Sequence, residues 1–277
     1  MKISEINIYP IKSLSGISIK NSIVEKRGLQ NDRRFMLVDK NNDLLTQREL
    51  PKMTTIYVEL KINSLKISTE GFEALKISNN FRGAQKIKVR VWKSFCEALV
   101  AKEVVNNWFS EYLETNCRLV QMPESTYRRI NEKFNKGNDI VSFADGYPLL
   151  IIGENSLADL NSKLEKQVPM NRFRPNLVVS DSEAFVENKW KKIKIGDTIF
   201  RTTKPCARCI VTTIDQITGI SDVQEPLKTL AAYRKSSDVL PDTFEEFGLG
   251  KNDVLFGQNL VVENFGEVIK VGDEVEV

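Results

Sequence analysis

The amino-acid sequence predicts a β-rich α+β protein, and three observations lead to this fold class. The first third alternates apolar and polar residues in short runs, as half-buried strands do. The second part adds short apolar runs between turn residues, and few segments have helical spacing. With 277 residues, 41% of them hydrophobic, the chain can bury a sizeable core in one large or two modest domains.

Residues 1–119 are predicted to form a β-domain. Residues 87–91 alternate most clearly, and the runs 35–38 and 44–46 flank a turn-rich segment, which predicts a hairpin. A helix follows, because six apolar residues recur at intervals of three and four and share one face. These residues, which we expect to pack into the core, are Val104, Val105, Trp108, Phe109, Tyr112 and Leu113.

Residues 120–277 are predicted to form a barrel-like α+β domain of short strands with few helices. A buried strand is expected over residues 148–152. A helix should then open at Ser156, with Asp159 completing an approximate capping box. Residues 193–199 and 269–275 both have a Gly-Asp pair between apolar runs, which predicts two hairpins because glycine supplies positive φ at no steric cost.

The composition excludes several classes of function. The net charge of +3 is too small and too evenly spread to predict binding to nucleic acid or to an anionic membrane. The chain has no histidine, which excludes His-based acid–base catalysis and zinc sites that need imidazole. Four cysteines in a chain of this length indicate a reducing compartment. Without a signal peptide or a long apolar run, we expect a cytoplasmic protein and no membrane span.

The pair Cys206 and Cys209 lies beside fixed positive charge, because Lys204 and Arg208 flank it. Neighbouring cations favour the thiolate, which is the nucleophilic and metal-binding form. Four interpretations stay open: a thioredoxin-like redox pair, a zinc site completed by Cys96 and Cys117, two structural cysteines, or a thiolate bound to a soft metal that an anionic cofactor carries. The β-branched residues after Cys209 disfavour the helix that a thioredoxin-like pair needs.

Other segments carry cations at the ends of predicted strands. Residues 9–13, 32–35 and 172–176 each combine Lys or Arg with polar groups. They are either solvated loops or parts of one cleft, where arginine is well shaped to bind phosphate. A further basic region, residues 127–136, is predicted to be a solvated loop, with docking of an acidic redox partner as the alternative.

Six segments, taken in order along the chain, are similar to those of the MOSC family. They are YPIKS (9–13), RF (34–35), ADGYP (144–148), FRPN (173–176), CARC (206–209) with TT (212–213), and LFGQN (255–259). The chain resembles in particular the two-part, amidoxime-reducing members. That resemblance implies an N-terminal β-barrel-like lobe joined to a MOSC mixed β-barrel with peripheral helices.

The resemblance also implies a molybdenum cofactor, with Cys209 as metal ligand and Asp145 as a catalytic group. The expected cofactor-binding residues are Lys12, Ser13, Arg34, Gly146, Tyr147, Arg174, Asn176, Cys206, Ala207, Arg208 and Asn259. The implied activity is reduction of N-hydroxylated compounds with electrons from a separate redox protein, expected to be a flavoprotein reductase. The alternative is a cofactor or sulfur carrier without its own turnover.

Overall fold

The computed structural model describes residues 1–222 and 224–277, and it confirms the predicted β-rich α+β fold. Strands form most of the regular structure. They are β1 (Lys2–Ile8), β2 (Ile17–Ile19), β3 (Asn21–Glu25), β4 (Gly28–Leu29), β5 (Phe35–Val38), β6 (Tyr57–Lys61), β7 (Ser64–Thr69), β8 (Phe72–Ser78), β9 (Lys86–Val91), β10 (Ser94–Val100), β11 (Arg118–Gln121), β12 (Leu149–Gly153), β13 (Leu177–Ser180), β14 (Lys192–Ile195), β15 (Thr198–Arg208), β16 (Val254–Val262), β17 (Val268–Lys270) and β18 (Val275–Glu276).

Helices are short and lie between the strands. The α-helices are α1 (Glu103–Leu113), α2 (Glu154–Asn161), α3 (Leu227–Ala231) and α4 (Ser236–Val239). Single turns of 3-10 helix occur at Pro51–Thr55, Glu132–Phe134, Met170–Phe173, Val186–Asn188, Ile210–Thr213 and Glu245–Phe247. In the described part of the chain, no helix is both long enough and apolar enough to cross a membrane.

The largest sheet has eight strands in the order β18-β14-β15-β16-β12-β13-β1-β2. Its parallel pair, β12 and β13, is joined through α2, and the other pairings are antiparallel. A bulge in β1 shifts the register between Ile3 and Glu5. Because of that extra residue, Ile3 and Ile6 can both enter the core although they are three positions apart. The first two strands of the chain thus complete a sheet whose other members come from the second half.

Smaller sheets form the rest of the first half. One contains β5, β11, β10 and β9, and another contains β6, β7 and β8. The predicted helix is α1, whose buried residues are Val105, Phe109, Tyr112 and Leu113. Val104 differs from the prediction, since it is 65% exposed. The boundary between residues 119 and 120 stays a prediction, and β11, which spans it, pairs with strands of the first half.

Two turn predictions have different outcomes. Residues 193–199 form the expected hairpin, with β14 paired to β15 and Gly196 at φ 56°. Residues 269–275 do not, because β17 pairs with β3 and β18 pairs with β14. The Gly272 N–H instead donates to the Ile3 carbonyl at 2.7 Å. This turn therefore joins two sheets. The pairing of its two strands with distant partners cannot be recognised from the local sequence pattern.

The predicted capping box at Ser156 is wrong. Helix α2 begins two residues earlier, after Gly153, which places Ser156 inside its first turn. The Ser156 hydroxyl is buried and donates to the Glu187 carboxylate at 2.9 Å. It also accepts the N–H of Phe185 at 2.7 Å. Serine is used here for a buried tertiary contact rather than for a helix cap.

Gly257 in β16 is expected to be intolerant of a side chain. Its φ is 81°, and an added Cβ would lie 2.7 Å from Ile152 Cγ1 and 3.0 Å from the Ile151 carbonyl oxygen. We predict that Gly257→Ala lowers the free energy of unfolding by about 2–4 kcal/mol, from backbone strain and overpacking together. Gly248→Ala is the matched control, because Gly248 also has positive φ but nothing lies within 4 Å of its Cβ position. Equal losses in denaturant unfolding would contradict the packing argument.

Candidate active site

A cleft of about 940 Å³, counting the open space at its mouth, lies beside the eight-stranded sheet. Segments that are far apart in sequence line it: residues after β1, the 46–48 loop, the β9–β10 turn, the segments before β12 and β13, and the end of β15. Twelve of the sequence-predicted site residues lie together here. They are Lys12, Ser13, Asp145, Gly146, Tyr147, Arg174, Asn176, Cys206, Ala207, Arg208, Cys209 and Asn259.

The two thiols are presented by the end of β15. The strand ends at Arg208, and residues 210–213 form a 3-10 turn rather than the β-rich run that their composition predicts. The reason is local, because the Thr212 hydroxyl donates to the Cys209 carbonyl at 3.0 Å. This turn leaves Cys206 and Cys209 free and partly exposed at the cleft.

Each thiol has a guanidinium group as neighbour. Arg208 Nη1 lies 3.0 Å from the Cys206 Sγ, and its Nη2 donates to the Phe173 carbonyl at 2.6 Å. Arg48 Nη2 lies 3.2 Å from the Cys209 Sγ. Each sulfur at the cleft therefore accepts a hydrogen bond from an arginine.

Positive charge dominates the lining. Six cationic side chains and one carboxylate, Asp145, face the cleft; the cations are Lys12, Arg33, Arg48, Arg172, Arg174 and Arg208. Lys12 is paired with Asp145, Arg33 with Asp32, and Arg172 with Asp215. The other three cations have no carboxylate partner in the described residues: Arg48, Arg174 and Arg208. Within the same residues, the buried Nε atoms of Arg172 and Arg208 have no hydrogen-bond partner. Such a set of donors fits an anionic group.

Arg33 and Arg174 are both placed against Tyr9. Their guanidinium carbons lie 4.4 Å and 4.2 Å from the centre of its ring. Burial lowers the pKa of Arg174 to about 10, a cost that the nearby Tyr9 and Asp32 offset only in part. For Arg33, burial also opposes the charge, but the adjacent Asp32 outweighs it and the pKa is raised. An anion in the cleft would compensate the desolvation of Arg174.

Asp145 lies at the centre of a second group of contacts. It accepts hydrogen bonds from Lys12 and, at 3.0 Å, from the Trp92 indole N–H. The surrounding protein opposes ionisation of this carboxyl, yet Lys12, Trp92 and Arg48 hold its pKa well below the usual range. Burial lowers the pKa of Lys12, although Asp145 offsets part of this effect. Lys12 and Asp145 thus form an ion pair at the cleft.

The basic region 127–136 contains a residue that sequence reasoning placed wrongly. Arg128 is 5% exposed rather than solvated. Its guanidinium donates to the carbonyls of Ser142, Ala144 and Asp145 at 2.6 to 2.7 Å, and to the Ser94 hydroxyl at 3.0 Å. These bonds hold the segment that presents Asp145 to the cleft. Local composition resembles that of a surface loop, so only the contacts identify the role.

Arg34 is placed differently from the rest of the predicted cofactor-binding set. It does not line the cleft, and its guanidinium instead forms a largely buried ion pair with Glu25. Arg33 takes the place at the cleft, where Nη1 donates to Asp32 at 2.7 Å and to the Asn176 side chain at 3.1 Å. Arg33 is the last residue of the turn before β5, with φ 49°, and Arg34 follows it, so the RR pair supplies one cation to the cleft and one to Glu25.

The remaining predicted residues are held by the sheet. The Asn259 amide donates to the Lys204 carbonyl at 3.0 Å, between β15 and β16. The Asn176 amide donates to the Asn7 carbonyl at 3.1 Å, while its oxygen accepts Arg33 and the Leu150 N–H. Both asparagines therefore fix backbone and cation positions around the cleft.

Comparison with known families gives two consecutive matches to this chain. The profile described as the MOSC N-terminal beta barrel domain matches residues 1–116, and the MOSC domain matches residues 138–276. The chain belongs to the MOSC family. The second match contains Asp145, both thiols and Asn259, whereas Lys12, Arg33, Arg48 and Trp92 come from the first. The cleft is thus built from both MOSC-related regions.

Curated relatives cover almost the whole of this MOSC-family chain. The rat protein named mitochondrial amidoxime reducing component 2 is 34% identical over 284 residues, which span 99% of this chain and 82% of that protein. The human mitochondrial amidoxime-reducing component 1 is 33% identical over 282 residues, with the same two coverages. The resemblance stated from the six short segments is therefore confirmed at the level of the family.

Two interpretations of the cysteine pair lose support in this MOSC structure. Cys96 and Cys117 are buried in separate hydrophobic clusters. Residues 1–222 and 224–277 contain no group of three or more His, Cys, Asp and Glu side chains that could hold a metal ion, so the four-cysteine zinc hypothesis is wrong. The turn after Cys209 also lacks the α-helix that follows a thioredoxin-like pair.

Tyr9 predicts how the stability of this chain depends on alkaline pH. Its ring is 3% exposed, its hydroxyl donates to the Pro175 carbonyl at 3.0 Å, and burial raises its pKa to about 12. The unfolded chain ionises this phenol near pH 10, whereas the folded chain does not, so stability present below that pH is lost as the pH rises to about 12. The expected loss is roughly 3 kcal/mol.

The measurement compares wild type with Tyr9→Phe by denaturant unfolding between pH 9 and pH 12. All other titrating groups are common to both proteins. The difference between the two free energies of unfolding should shrink as the pH rises, because only wild type carries the phenol. A constant difference would contradict the assigned pKa.

Proposed function

We propose that this protein reduces N-hydroxylated compounds with a molybdenum cofactor bound in the cleft. The observation that carries the proposal is the juxtaposition of the partly exposed Cys209 thiol with an excess of cations over carboxylates. The names of the relatives, which specify reduction of amidoximes, support the substrate class. The reaction takes up two electrons and two protons, breaks the N–O bond and yields an N–H group and water.

The side chains of the cleft divide into two groups in this proposal. Cys209 would ligate the metal, because sulfur ligands suit soft metals. Arg174 and Arg208, which lack carboxylate partners in the described chain, would bind the phosphate of the pterin with Lys12, Arg33 and Ser13 around them. When bound, the cofactor supplies two-electron redox chemistry beside Cys209. Gly146, Tyr147, Ala207 and Asn259 complete the walls.

Proton delivery is assigned to Lys12 and Asp145 acting together. Asp145 alone is a poor donor, because its low pKa leaves it ionised at neutral pH. Lys12 carries the proton, and its lowered pKa makes transfer to a substrate oxygen easier than from a free lysine. Asp145 orients the ammonium and stabilises its charge, so it is a partner in the transfer rather than the first donor.

A single preparation tests the activity. Protein made in a host that supplies the cofactor is analysed for molybdenum and then assayed for reduction of benzamidoxime to benzamidine with an artificial electron donor. We expect about one metal per chain and steady turnover. Bound molybdenum without turnover would instead support the cofactor or sulfur carrier, and absence of both would contradict the whole proposal. A separate redox protein, of the flavoprotein reductase class, would supply electrons in the cell.

The pair of adjacent arginines gives a matched test of cofactor binding. Arg33→Met removes a cation that lines the cleft, and Arg34→Met removes one that faces Glu25 instead. We predict that Arg33→Met lowers the molybdenum content about tenfold, the size of effect seen when a supporting contact of a bound metal group is lost. Arg34→Met should retain the metal, although both variants should lower stability because each leaves a carboxylate without its cation. If Arg34→Met lost the molybdenum and Arg33→Met retained it, Arg34 rather than Arg33 would be the residue that binds the cofactor.

A further inference from the structure

The rim of the cleft contains a stacked pair from the N-terminal region. Trp92 lies at the turn between β9 and β10 with φ 56°, and it is 37% exposed. The Arg48 guanidinium carbon lies 4.4 Å from the centre of the Trp92 ring. Arg48 Nη2 also lies 3.2 Å from the Cys209 Sγ. A flat group of three nitrogens around one carbon therefore occupies the space over the indole ring, next to the sulfur.

We propose that this space is the slot for the planar part of the substrate, and that Trp92 selects conjugated substrates by stacking on them. The inference rests on the proposed function and goes further by naming the residue that sets specificity. A guanidinium has the same flat, trigonal shape as an amidoxime group, so the position of Arg48 shows that such a group fits against the ring. A conjugated ring attached to that group would extend the stacked surface.

Arg48 can leave the slot without disturbing the fold. Its side chain is exposed, and in the described part of the chain it is held by contacts with the Cys209 sulfur and the Trp92 ring. Trp92, in contrast, is fixed, because its indole N–H donates to Asp145 at 3.0 Å. The indole is thus anchored by a hydrogen bond, whereas the cation–π contact of the exposed Arg48 is weak. A substrate would replace the guanidinium on the face of the ring.

The test uses two neutral amidoximes with the same carbon skeleton, one with a flat aromatic ring and one with a saturated ring: benzamidoxime and cyclohexanecarboxamidoxime. Their affinities for the cofactor-loaded protein are measured by calorimetry without an electron donor, so that no turnover occurs. We expect wild type to prefer benzamidoxime about fivefold to tenfold, Trp92→Phe to keep most of this preference, and Trp92→Leu to lose it. Arg48→Leu should bind benzamidoxime at least as tightly as wild type, because the competing side chain is gone.

Phe95→Leu is the matched control. Phe95 is a 59% exposed aromatic residue of the same hairpin, with Lys88 Nζ 5.0 Å from its ring centre, but it does not line the cleft. A preference that survives Trp92→Leu, or that disappears equally in Phe95→Leu, would overturn the inference. Weaker benzamidoxime binding in Arg48→Leu would overturn the assignment of Arg48 as the occupant of the slot.

The same proteins are then assayed for turnover with both compounds. If wild type reduces both at equal rates and Trp92→Leu leaves that ratio unchanged, the proposed reductase stands and the stacking inference fails. If wild type binds benzamidoxime selectively through Trp92 but reduces neither compound, the slot stands and the proposed activity fails.

Discussion

Cys209→Ala should abolish molybdenum binding or reduce turnover of N-hydroxylated substrates by at least about 100-fold. The sulfur of Cys209 is partly exposed at the cleft, and an alanine there leaves nothing to ligate a soft metal. Stability should change little, because the side chain is not part of a hydrophobic cluster. Molybdenum content, reductase rate and the midpoint of thermal unfolding are measured on the same preparation.

Cys206→Ala is the matched control for this result. It removes a thiol from the same segment, also partly exposed, but that sulfur packs beside the cluster around Phe173 and contacts Arg208. We expect a smaller loss of activity, with the metal retained. If the two variants behaved alike, or if Cys209→Ala kept normal metal and turnover, the assignment of Cys209 as the ligand would be wrong.

Asp32→Ala is expected to be among the most destabilising substitutions of a charged residue. Asp32 is fully buried, accepts the Tyr9 N–H at 2.8 Å and pairs with Arg33 at 2.7 Å. Its loss leaves a mostly buried guanidinium without its carboxylate, for which we predict a loss of about 3–5 kcal/mol in the free energy of unfolding. Because Arg33 would no longer be held at the cleft, cofactor content should fall as well.

The comparison variant is Asp215→Ala, which removes another carboxylate paired with a cleft arginine. Asp215 is 32% exposed in its side chain, and Arg172 also donates to the Thr213 carbonyl at 2.8 Å. Solvent can therefore replace part of the lost contact, and the expected destabilisation is smaller than for Asp32. Denaturant unfolding of both variants tests the ranking. Equal losses would show that burial of Asp32 is not the deciding factor.

Sequence alone predicted the fold class, several strands, among them β5, β9 and β12, and the main helix, since these depend on local periodicity. It also named twelve residues that lie in one cleft, because the six segments were recognised together. What it missed depends on distant contacts. Arg128 is buried by carbonyls of residues 142–145, and Trp92 meets Asp145 across 53 positions. Arg33 lines the cleft and its neighbour Arg34 does not, because the two side chains point in different directions.

The opening strands have a consequence for how this polypeptide reaches its native state. Because β1 pairs with β13, the partner of Lys2 in that strand, Ser180, is synthesised 178 residues later. Contacts of such large sequence separation slow folding, because the chain loses the entropy of closing a long loop before these contacts can stabilise it. During translation, Ile3, Ile6 and Ile8 would stay uncovered until the ribosome has released the middle of the chain, which makes them natural targets for a chaperone. A fragment of the first half should aggregate when expressed alone.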